Sequence, residues 1–220
     1  YLNEPRGMRH SFFEKYPHLK GSVRENTAKS HYASMCTSTP EVMGWLRDSI
    51  KYICRSVPDL GGFFTITRSE NPSNCFSHHS KNAPVNCPRC KQRTASTVIA
   101  ELNSEILRAA RSVSPDIKVF AYAWGWEGLG FNEEETADCI RQTASEIPIL
   151  CVSENMREYT VGGVSGRVID YSMAVPGPSG FTKKIWEEAA STNHETAAKI
   201  QINTTWEAST LPYIPIFGTI

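Results

Sequence analysis

The chain has 220 residues, enough for one large domain with a sizeable core, and its hydrophobic (40%) and charged (21%) fractions are ordinary for a globular protein. Lys plus Arg equals Asp plus Glu at 23 each, which argues against nucleic acid or an anionic membrane surface as a partner. No apolar run approaches the roughly 20 residues that a membrane-spanning helix needs. The missing initiator Met and signal peptide, with the abrupt start at Tyr1, predict a piece of a longer protein.

The first part of the chain has few regular patterns. Residues 1–6 indicate the end of a strand, and the segment up to about Cys36 is polar and irregular. Within it, Phe12, Phe13 and Tyr16 predict a short helix.

Beyond this segment, amphipathic helices alternate with short apolar strands. Thr39-Pro40-Glu41 combines a cap, a first-turn proline and an early acid, which indicates a helix start. Helices are predicted at 39–57, 94–113, 132–146 (from a capping box at Asn132 and Glu135) and 182–191. Strands are predicted at 63–67, 117–124, 147–152, 167–175 and 197–203. This alternation is typical of βαβ units and a parallel sheet.

Polar and aromatic residues collect at the predicted carboxyl ends of the strands. The clusters read NEPR, RSEN, WGWE, SEN and TTWE, and no glycine-rich phosphate loop follows any strand. This favours a (β/α)8 TIM-type barrel over a doubly wound sheet, which concentrates its site at one switch point. We therefore predict an α/β fold, a partial TIM barrel lacking its first one or two strands. The prediction is a single catalytic domain over 1–220, with a Cys-rich loop insertion at 72–91.

Four glutamates follow strands and stand near tryptophans, a combination typical of sugar chemistry. In a glycosidase one carboxyl group protonates the glycosidic oxygen, a second attacks or activates water, and aromatic faces stack on the sugar ring. The catalytic candidates are Glu70 and Glu154. The substrate-binding candidates are Glu4, Arg6, Arg68, Asn71, Trp124, Trp126, Asp170, Trp206 and Glu207.

The run 63–71 (FFTITRSEN), the Trp124-Gly125-Trp126 strand end and the final Trp206-Glu207 resemble the later strands of glycoside hydrolase family 20 β-N-acetylhexosaminidases. They are more similar still to the hexosaminidase-like proteins of the DUF4838 type, which carry a cysteine loop after the acidic strand. The resemblance covers roughly residues 60–210. It implies that Glu70 is the general acid, and that Trp206 and Glu207 bind sugar hydroxyls.

One position departs from this resemblance. Family 20 enzymes have an aspartate directly before the acid, which orients the substrate's acetamido group as nucleophile, whereas this chain has Ser69. Serine cannot balance the positive charge of an oxazolinium intermediate. Glu154 is then the candidate nucleophile or base, or the chain binds sugar without cleaving it.

A competing interpretation comes from Asn3-Glu4-Pro5, which resembles the acid/base motif of the large clan of retaining β-glycosidases. In that motif the acid follows the fourth strand, whereas we count the strand ending at Glu4 as the third. We favour Glu4 as a residue at the rim of the site, with Arg6 beside it.

The loop after the predicted strand 63–67 contains Cys75 and a C-x₂-C pair, Cys87 and Cys90. Three thiolates at this spacing predict a structural zinc site, with His79, His78 or Cys36 as the fourth ligand. The alternatives are a disulfide in a secreted enzyme, or unligated thiols. The thiol-rich loop favours a reducing compartment such as the cytoplasm.

Together these patterns predict a glycoside hydrolase that cleaves a β-linked, N-acetylated or plain sugar by carboxylate acid/base catalysis. A carbohydrate is the expected partner, and no organic cofactor is expected. The alternative is a non-catalytic carbohydrate-binding barrel. The sequence does not indicate the sugar, the linkage or the oligomeric state.

Overall fold

The structure is a computed structural model that describes residues 7–23, 31–68, 71–77, 85–126, 131–169, 171–172 and 175–200. Its helices are α1 (His10–Lys15), α2 (Pro40–Ser56), α3 (Ala95–Arg111), α4 (Glu133–Gln142) and α5 (Gly180–Ser191), with a short 3-10 helix at Pro17–Leu19. Its strands are β1 (Met8–Arg9), β2 (Lys20–Val23), β3 (Tyr32–Met35), β4 (Gly62–Thr65), β5 (Lys118–Tyr122), β6 (Ile149–Val152), β7 (Glu158–Val161), β8 (Val164–Arg167) and β9 (Thr196–Lys199).

The long helices begin where the sequence supplies caps. The side chain of Thr94 accepts a hydrogen bond from the backbone of Thr97 at the start of α3. Asn132 and Glu135 form the predicted capping box of α4. That helix ends at Gln142, four residues earlier than predicted, because Thr143 turns to an extended conformation and caps it.

Four parallel strands form the main sheet, in the order β4-β5-β6-β9. Each neighbouring pair is parallel, and α3, α4 and α5 occur between successive strands in the chain. One face of the sheet packs on the helices, and this helix-side core includes Phe63, Val119, Ala121, Ile149 and Cys151. A parallel sheet built from βαβ units is therefore confirmed.

The opposite face of this sheet carries a second, smaller apolar cluster. Because side chains alternate along a strand, the residues between the core positions point to this face. We call it the aromatic face; its members are Phe64, Ile66, Tyr122, Trp124, Leu150, Val152 and Tyr171.

The part of the chain predicted to be irregular contains a three-stranded antiparallel sheet, ordered β1-β3-β2. Its own small core contains Phe13, Ala33 and Met35, together with Val42 of α2. The prediction failed because these strands have two to four residues each, too few for a clear alternation.

The predicted strand at 167–175 is wrong. The chain instead forms an antiparallel hairpin from β7 and β8, joined by Gly162 and Gly163 at φ of 58° and 78°. Only residues without a Cβ adopt such angles readily, so the Gly-Gly pair specifies the turn. The hairpin side chains are largely exposed, and the described residues from 168 to 175 add no strand to the main sheet.

The (β/α)8 barrel prediction is also wrong. The described residues hold one parallel sheet of four strands and two antiparallel sheets, and they show no eightfold pattern. Closure depends on strand number and stagger, which are properties of the whole sheet and are not encoded in any single strand. Among the helices of the described residues, none is both long and apolar enough to cross a membrane.

Candidate functional site

Four cysteines that are distant in the sequence lie together beside the main sheet. Cys36 directly follows β3, Cys75 lies in the loop after β4, and Cys87 and Cys90 lie in the turn before α3. All four are buried, and their Sγ atoms lie within 4.8 Å of one another. We call this group the cysteine cluster. Four cysteines placed so closely can hold a metal ion.

The sulfur separations fit a metal site better than a disulfide. Cys36 Sγ is 3.6 Å from Cys87 Sγ and 3.7 Å from Cys90 Sγ. A disulfide requires about 2.05 Å, and all seven cysteines are free. Four sulfurs placed about 2.3 Å from a central zinc ion would be about 3.8 Å apart in a tetrahedron. The two separations from Cys36 therefore match those of a tetrahedral zinc site.

Local hydrogen bonds hold the loop that carries Cys75. Asn74 Oδ1 accepts from the Phe76 backbone at 2.9 Å, and Asn74 Nδ2 donates to the Thr67 carbonyl at the end of β4. The hydroxyls of Ser73 and Ser77 lie 2.8 Å apart beneath this turn. An asparagine that bonds backbone groups on both sides of itself specifies one loop conformation.

Polar groups surround the sulfurs. Ser38 Oγ lies 3.4 Å from Cys90 Sγ, and Ser34 Oγ lies 3.8 Å from Cys75 Sγ. Arg89 Nε donates to Cys36 Sγ at 3.2 Å. Such donors stabilise negative charge on sulfur, which is the state of a metal-bound thiolate.

The ionisation of the cluster is uneven. Hydrogen bonds from Cys75 and Cys90, and then from Arg89, lower the pKa of Cys36 well below its usual range despite its burial. A hydrogen bond from Cys75 also lowers the pKa of Cys87 to about 6, helped by the backbone N–H groups of Cys90 and Arg89. As the donor in these bonds, Cys75 has a raised pKa. The pKa of Cys90 is raised to about 11, chiefly by its hydrogen bond with Cys36.

The three remaining cysteines are isolated in the helix-side core. Burial raises the pKa of Cys54, Cys139 and Cys151, so these thiols stay protonated. They are buried free thiols.

A second candidate site lies at the carboxyl ends of the parallel strands, on the aromatic face. Trp124 follows β5 there and is half-buried. The hydroxyls of Tyr122 and Tyr171 lie 3.3 Å apart, and Lys199 Nζ lies 3.6 Å from the centre of the Tyr171 ring. Aromatic rings with hydroxyl and ammonium groups at one sheet edge can stack on a sugar and bond its hydroxyls.

Glu154 lies two residues beyond β6 at this same edge. Its side chain is 3% exposed, and its Oε1 accepts a hydrogen bond from the Ser172 backbone at 2.9 Å. Ser172 follows Tyr171, so this bond ties Glu154 to the aromatic face. A buried carboxylate held by a backbone N–H has a defined position and direction.

Arg68 and Trp126 lie on the helix side instead. The Arg68 guanidinium sits over the Phe131 ring at 4.3 Å. Burial lowers its pKa to about 10, partly opposed by Glu135 and Cys139 of α4. Trp126 is fully buried and packs against Phe131 in the helix-side core, with ring centres 6.2 Å apart. Neither side chain belongs to the aromatic face.

Asn71 begins the loop after β4, where its carbonyl accepts from the Ser73 backbone at 2.7 Å. The other predicted residues lie outside the described part of the chain: Glu4, Arg6, Glu70, His78, His79, Asp170, Trp206 and Glu207.

The sequence patterns did not single out Tyr122, Tyr171 or Lys199 as site residues, nor Arg89 and Ser38 beside the sulfurs. Tyr122 was a candidate in principle, because it alternates with core positions along a predicted strand. Nothing local in the sequence distinguishes Arg89 from the neighbouring basic residues Lys91 and Arg93.

Comparison with known protein families finds no family that matches the chain. No curated protein matches it either. Among solved structures, one match is a GH36 α-galactosidase from Geobacillus stearothermophilus in complex with 1-deoxygalactonojirimycin, at 13% identity and a TM-score of 0.36. The alignment covers 94% of this chain and 28% of the galactosidase chain. A score this low carries no argument about fold or activity.

The fold and the two sites therefore define a structural class of protein but not a family. The described residues form an α/β protein with a buried four-cysteine cluster beside a parallel sheet, whose carboxyl edge carries aromatic residues and a buried glutamate.

Proposed function

We propose that the chain is part of a glycoside hydrolase, with Glu154 as one of its two catalytic carboxylates. The observation that carries the proposal is the position of Glu154. It is buried at the carboxyl end of β6 and tied through Ser172 to a face that bears Trp124 and two tyrosines. Parallel α/β sheets bind their ligands at this end of the strands.

In this proposal Glu154 acts as nucleophile or base, and the backbone N–H of Ser172 holds its carboxyl group in position. Glu70, which follows β4 in sequence, is the general acid implied by the hexosaminidase resemblance. Trp124 and Tyr171 shape the sugar subsite, and the buried Tyr122 supports Tyr171 through the contact between their hydroxyls. Glu4, Arg6, Asn71, Asp170, Trp206 and Glu207 complete the proposed binding set, and Trp126 and Arg68 are left out of it. The proposed substrate is a β-linked sugar, with an N-acetylated one as the first to test.

The test is hydrolysis of a panel of aryl β-glycosides, with and without the 2-acetamido group, by the intact protein and by two variants. Glu70→Gln and Glu154→Gln should each lower kcat by at least about 100-fold. Glu158→Gln, on the exposed strand β7, is the matched control and should keep full activity. Unchanged turnover in Glu154→Gln would exclude Glu154 from the mechanism.

A second candidate function is carbohydrate binding without cleavage, favoured by the aromatic face taken alone. It predicts that a sugar binds with measurable heat and protects the protein thermally, while no glycoside in the panel is hydrolysed. In that case Trp124→Ala weakens binding and Glu154→Gln leaves binding nearly unchanged.

We also propose that the cysteine cluster binds one structural zinc ion through Cys36, Cys75, Cys87 and Cys90. Tetrahedral sulfur sites hold zinc or iron, and four protein ligands leave no open position for substrate. Residues 72–91 form the loop that supplies most of the zinc ligands. In this proposal the zinc centre and the active site belong to the same single domain, 1–220.

Metal analysis of the purified protein tests this second proposal. We expect one zinc per chain, and we expect a chelator to lower the melting temperature by an amount that added zinc restores. A folded, metal-free sample whose stability is unaffected by zinc would refute it. Iron in place of zinc would refute the identity of the metal but keep the site.

A further inference from the structure

The turn that supplies Cys87 and Cys90 also makes several contacts with the edge of the small antiparallel sheet. Asn86 Oδ1 accepts from the Val23 backbone at 3.1 Å, at the far end of β2. Arg89 Nη2 donates to the Lys20 carbonyl at 2.6 Å, at the start of β2. The turn thus contacts β2 at both of its ends.

The same arginine also contacts a sulfur. Its Nε–H donates to Cys36 Sγ at 3.2 Å, while its Nη2 holds the Lys20 carbonyl. Cys36 is itself joined to this region, because its backbone N–H donates to the Leu19 carbonyl at 2.9 Å. One half-buried guanidinium therefore links a ligand of the cysteine cluster to the strand beside it.

The charge of a metal-bound cluster makes such a link important. Four thiolates around a divalent cation leave an excess of two negative charges, and burying that charge is costly without a nearby cation or donors. Among the described residues, Arg89 is the basic residue whose side chain donates a hydrogen bond to a sulfur of the cluster. Lys91, on the same turn, has an exposed side chain.

We propose, on the basis of the zinc centre proposed above, that Arg89 is the positioning residue of that centre. It neutralises part of the thiolate charge and directs Cys36 Sγ toward the metal. Because it also contacts β2, it fixes the position of Cys36 relative to that strand. The planar guanidinium is required because it makes both contacts at once, which a lysine ammonium on a flexible stem does not.

The experiment measures zinc affinity of the whole protein by competition with a chromogenic chelator, in four proteins: the unaltered chain, Arg89→Gln, Arg89→Lys and Lys91→Gln. Arg89→Gln should weaken zinc binding by roughly 10- to 100-fold, as loss of outer-shell partners does. Arg89→Lys keeps the charge but not both contacts, so its zinc affinity should lie between those of the unaltered chain and Arg89→Gln. Lys91→Gln removes the same charge from the same turn, and its zinc affinity should stay within about threefold of that of the unaltered chain.

A spectroscopic readout separates a positioning role from a merely structural one. In the Co²⁺-loaded protein, loss of the N–H···S bond leaves more electron density on Cys36 and should move the sulfur-to-metal charge-transfer band to lower energy. Lys91→Gln should leave the band in place. If Arg89→Gln does not fold, the band of Arg89→Lys serves as the readout.

Equal losses of affinity in Arg89→Gln and Lys91→Gln, or an unmoved charge-transfer band, would overturn the role of Arg89. Failure of the unaltered protein to bind zinc or Co²⁺ is a different result. It would refute the proposed zinc centre, and with it this inference, before any variant is compared.

Discussion

Cys36 Sγ and Cys90 Sγ lie 3.7 Å apart although 54 residues separate them in the chain. Cys36 directly follows β3 of the small antiparallel sheet, and Cys90 lies shortly before α3, which packs on the parallel sheet. A shared metal ion at this point would fasten the two sheets together. Much of the stability of the small sheet should then depend on the cysteine cluster.

Replacement of Cys36 tests that dependence. Cys36→Ser removes one of the four sulfurs and should weaken zinc binding by more than the roughly 10- to 100-fold expected for an outer-shell partner. It should also lower the melting temperature of the zinc-loaded protein. Metal analysis and thermal unfolding measure the two effects.

Cys54→Ala is the control for Cys36→Ser, because Cys54 is 1% exposed but lies in the core rather than in the cluster. It should lower stability through lost packing and leave the zinc content at that of the unaltered protein. Full zinc content in Cys36→Ser would show that Cys36 is not a ligand and would return His78 and His79 to consideration.

Gly21 lies against the cluster, and a side chain there has no room. A Cβ at this position would come 2.7 Å from Cys75 Sγ and 2.6 Å from Ser34 Oγ. We expect Gly21→Ala to destabilise the protein by about 1–3 kcal/mol, the usual cost of overpacking, and to weaken zinc binding. Denaturant unfolding with and without zinc measures both effects.

Gly61→Ala is the matched substitution, since a Cβ there meets nothing within 4 Å. Its free energy of unfolding should stay within about 0.5 kcal/mol of the unaltered protein. Equal effects of the two substitutions would contradict the close packing of Gly21 against the sulfurs.

Asn103 of α3 connects the helix to the end of β4. Its Oδ1 accepts from Thr65 Oγ1 at 2.6 Å, and its Nδ2 donates to Thr67 Oγ1 at 3.5 Å. Asn103 is fully buried. Asn103→Leu leaves the Thr65 hydroxyl without this partner and should cost about 1–3 kcal/mol in unfolding free energy.

The double variant Thr65→Val, Asn103→Leu removes both polar partners and should recover a large part of that loss. Denaturant unfolding of the single and double variants provides the thermodynamic cycle. Strictly additive losses would show that the two side chains do not interact.

His194 predicts a dependence of stability on pH. Burial lowers its pKa, and the contacts of Nδ1 with Thr192 at 2.9 Å and of Nε2 with the Thr143 carbonyl at 3.3 Å suit a neutral ring. Between the lowered folded pKa and the unfolded value of about 6.5, the unfolded chain binds more protons. Stability should therefore fall as the pH drops through this window.

His194→Gln should reduce the slope of unfolding free energy against pH in the window below about pH 6.5. If the slope persists in His194→Gln, another group is responsible for it.

Local signals in the sequence predicted the helices well. The start of α2 at Pro40 and the capping box at Asn132 are local chemistry, and the structure confirms both, although the side chain of Thr39 makes no capping hydrogen bond. The Gly162-Gly163 turn was equally local, but no element was predicted for residues 153–166 around it. An exposed hairpin lacks the apolar alternation by which strands are recognised.

Local sequence signals could not predict on which side of the main sheet each site residue would lie. Trp124 and Trp126 are two positions apart, yet the first lies on the aromatic face and the second in the helix-side core. Beyond the end of a strand the alternation of faces no longer applies, so the turn geometry and the packing of Phe131 decide the outcome.

The sequence by itself determined the helices, the parallel βαβ sheet and the three clustered cysteines of the loop after β4, because caps, periodicity and short spacing act over a few residues. Only the tertiary structure decided that the described strands form a four-stranded parallel sheet without an eightfold pattern, and that Cys36 joins the cluster. It also decided that the buried Glu154 is held by the backbone of Ser172, next to Tyr171, while Arg68 packs over the ring of Phe131. These outcomes depend on contacts between residues far apart in the chain, where packing and burial select among arrangements that local preferences allow equally.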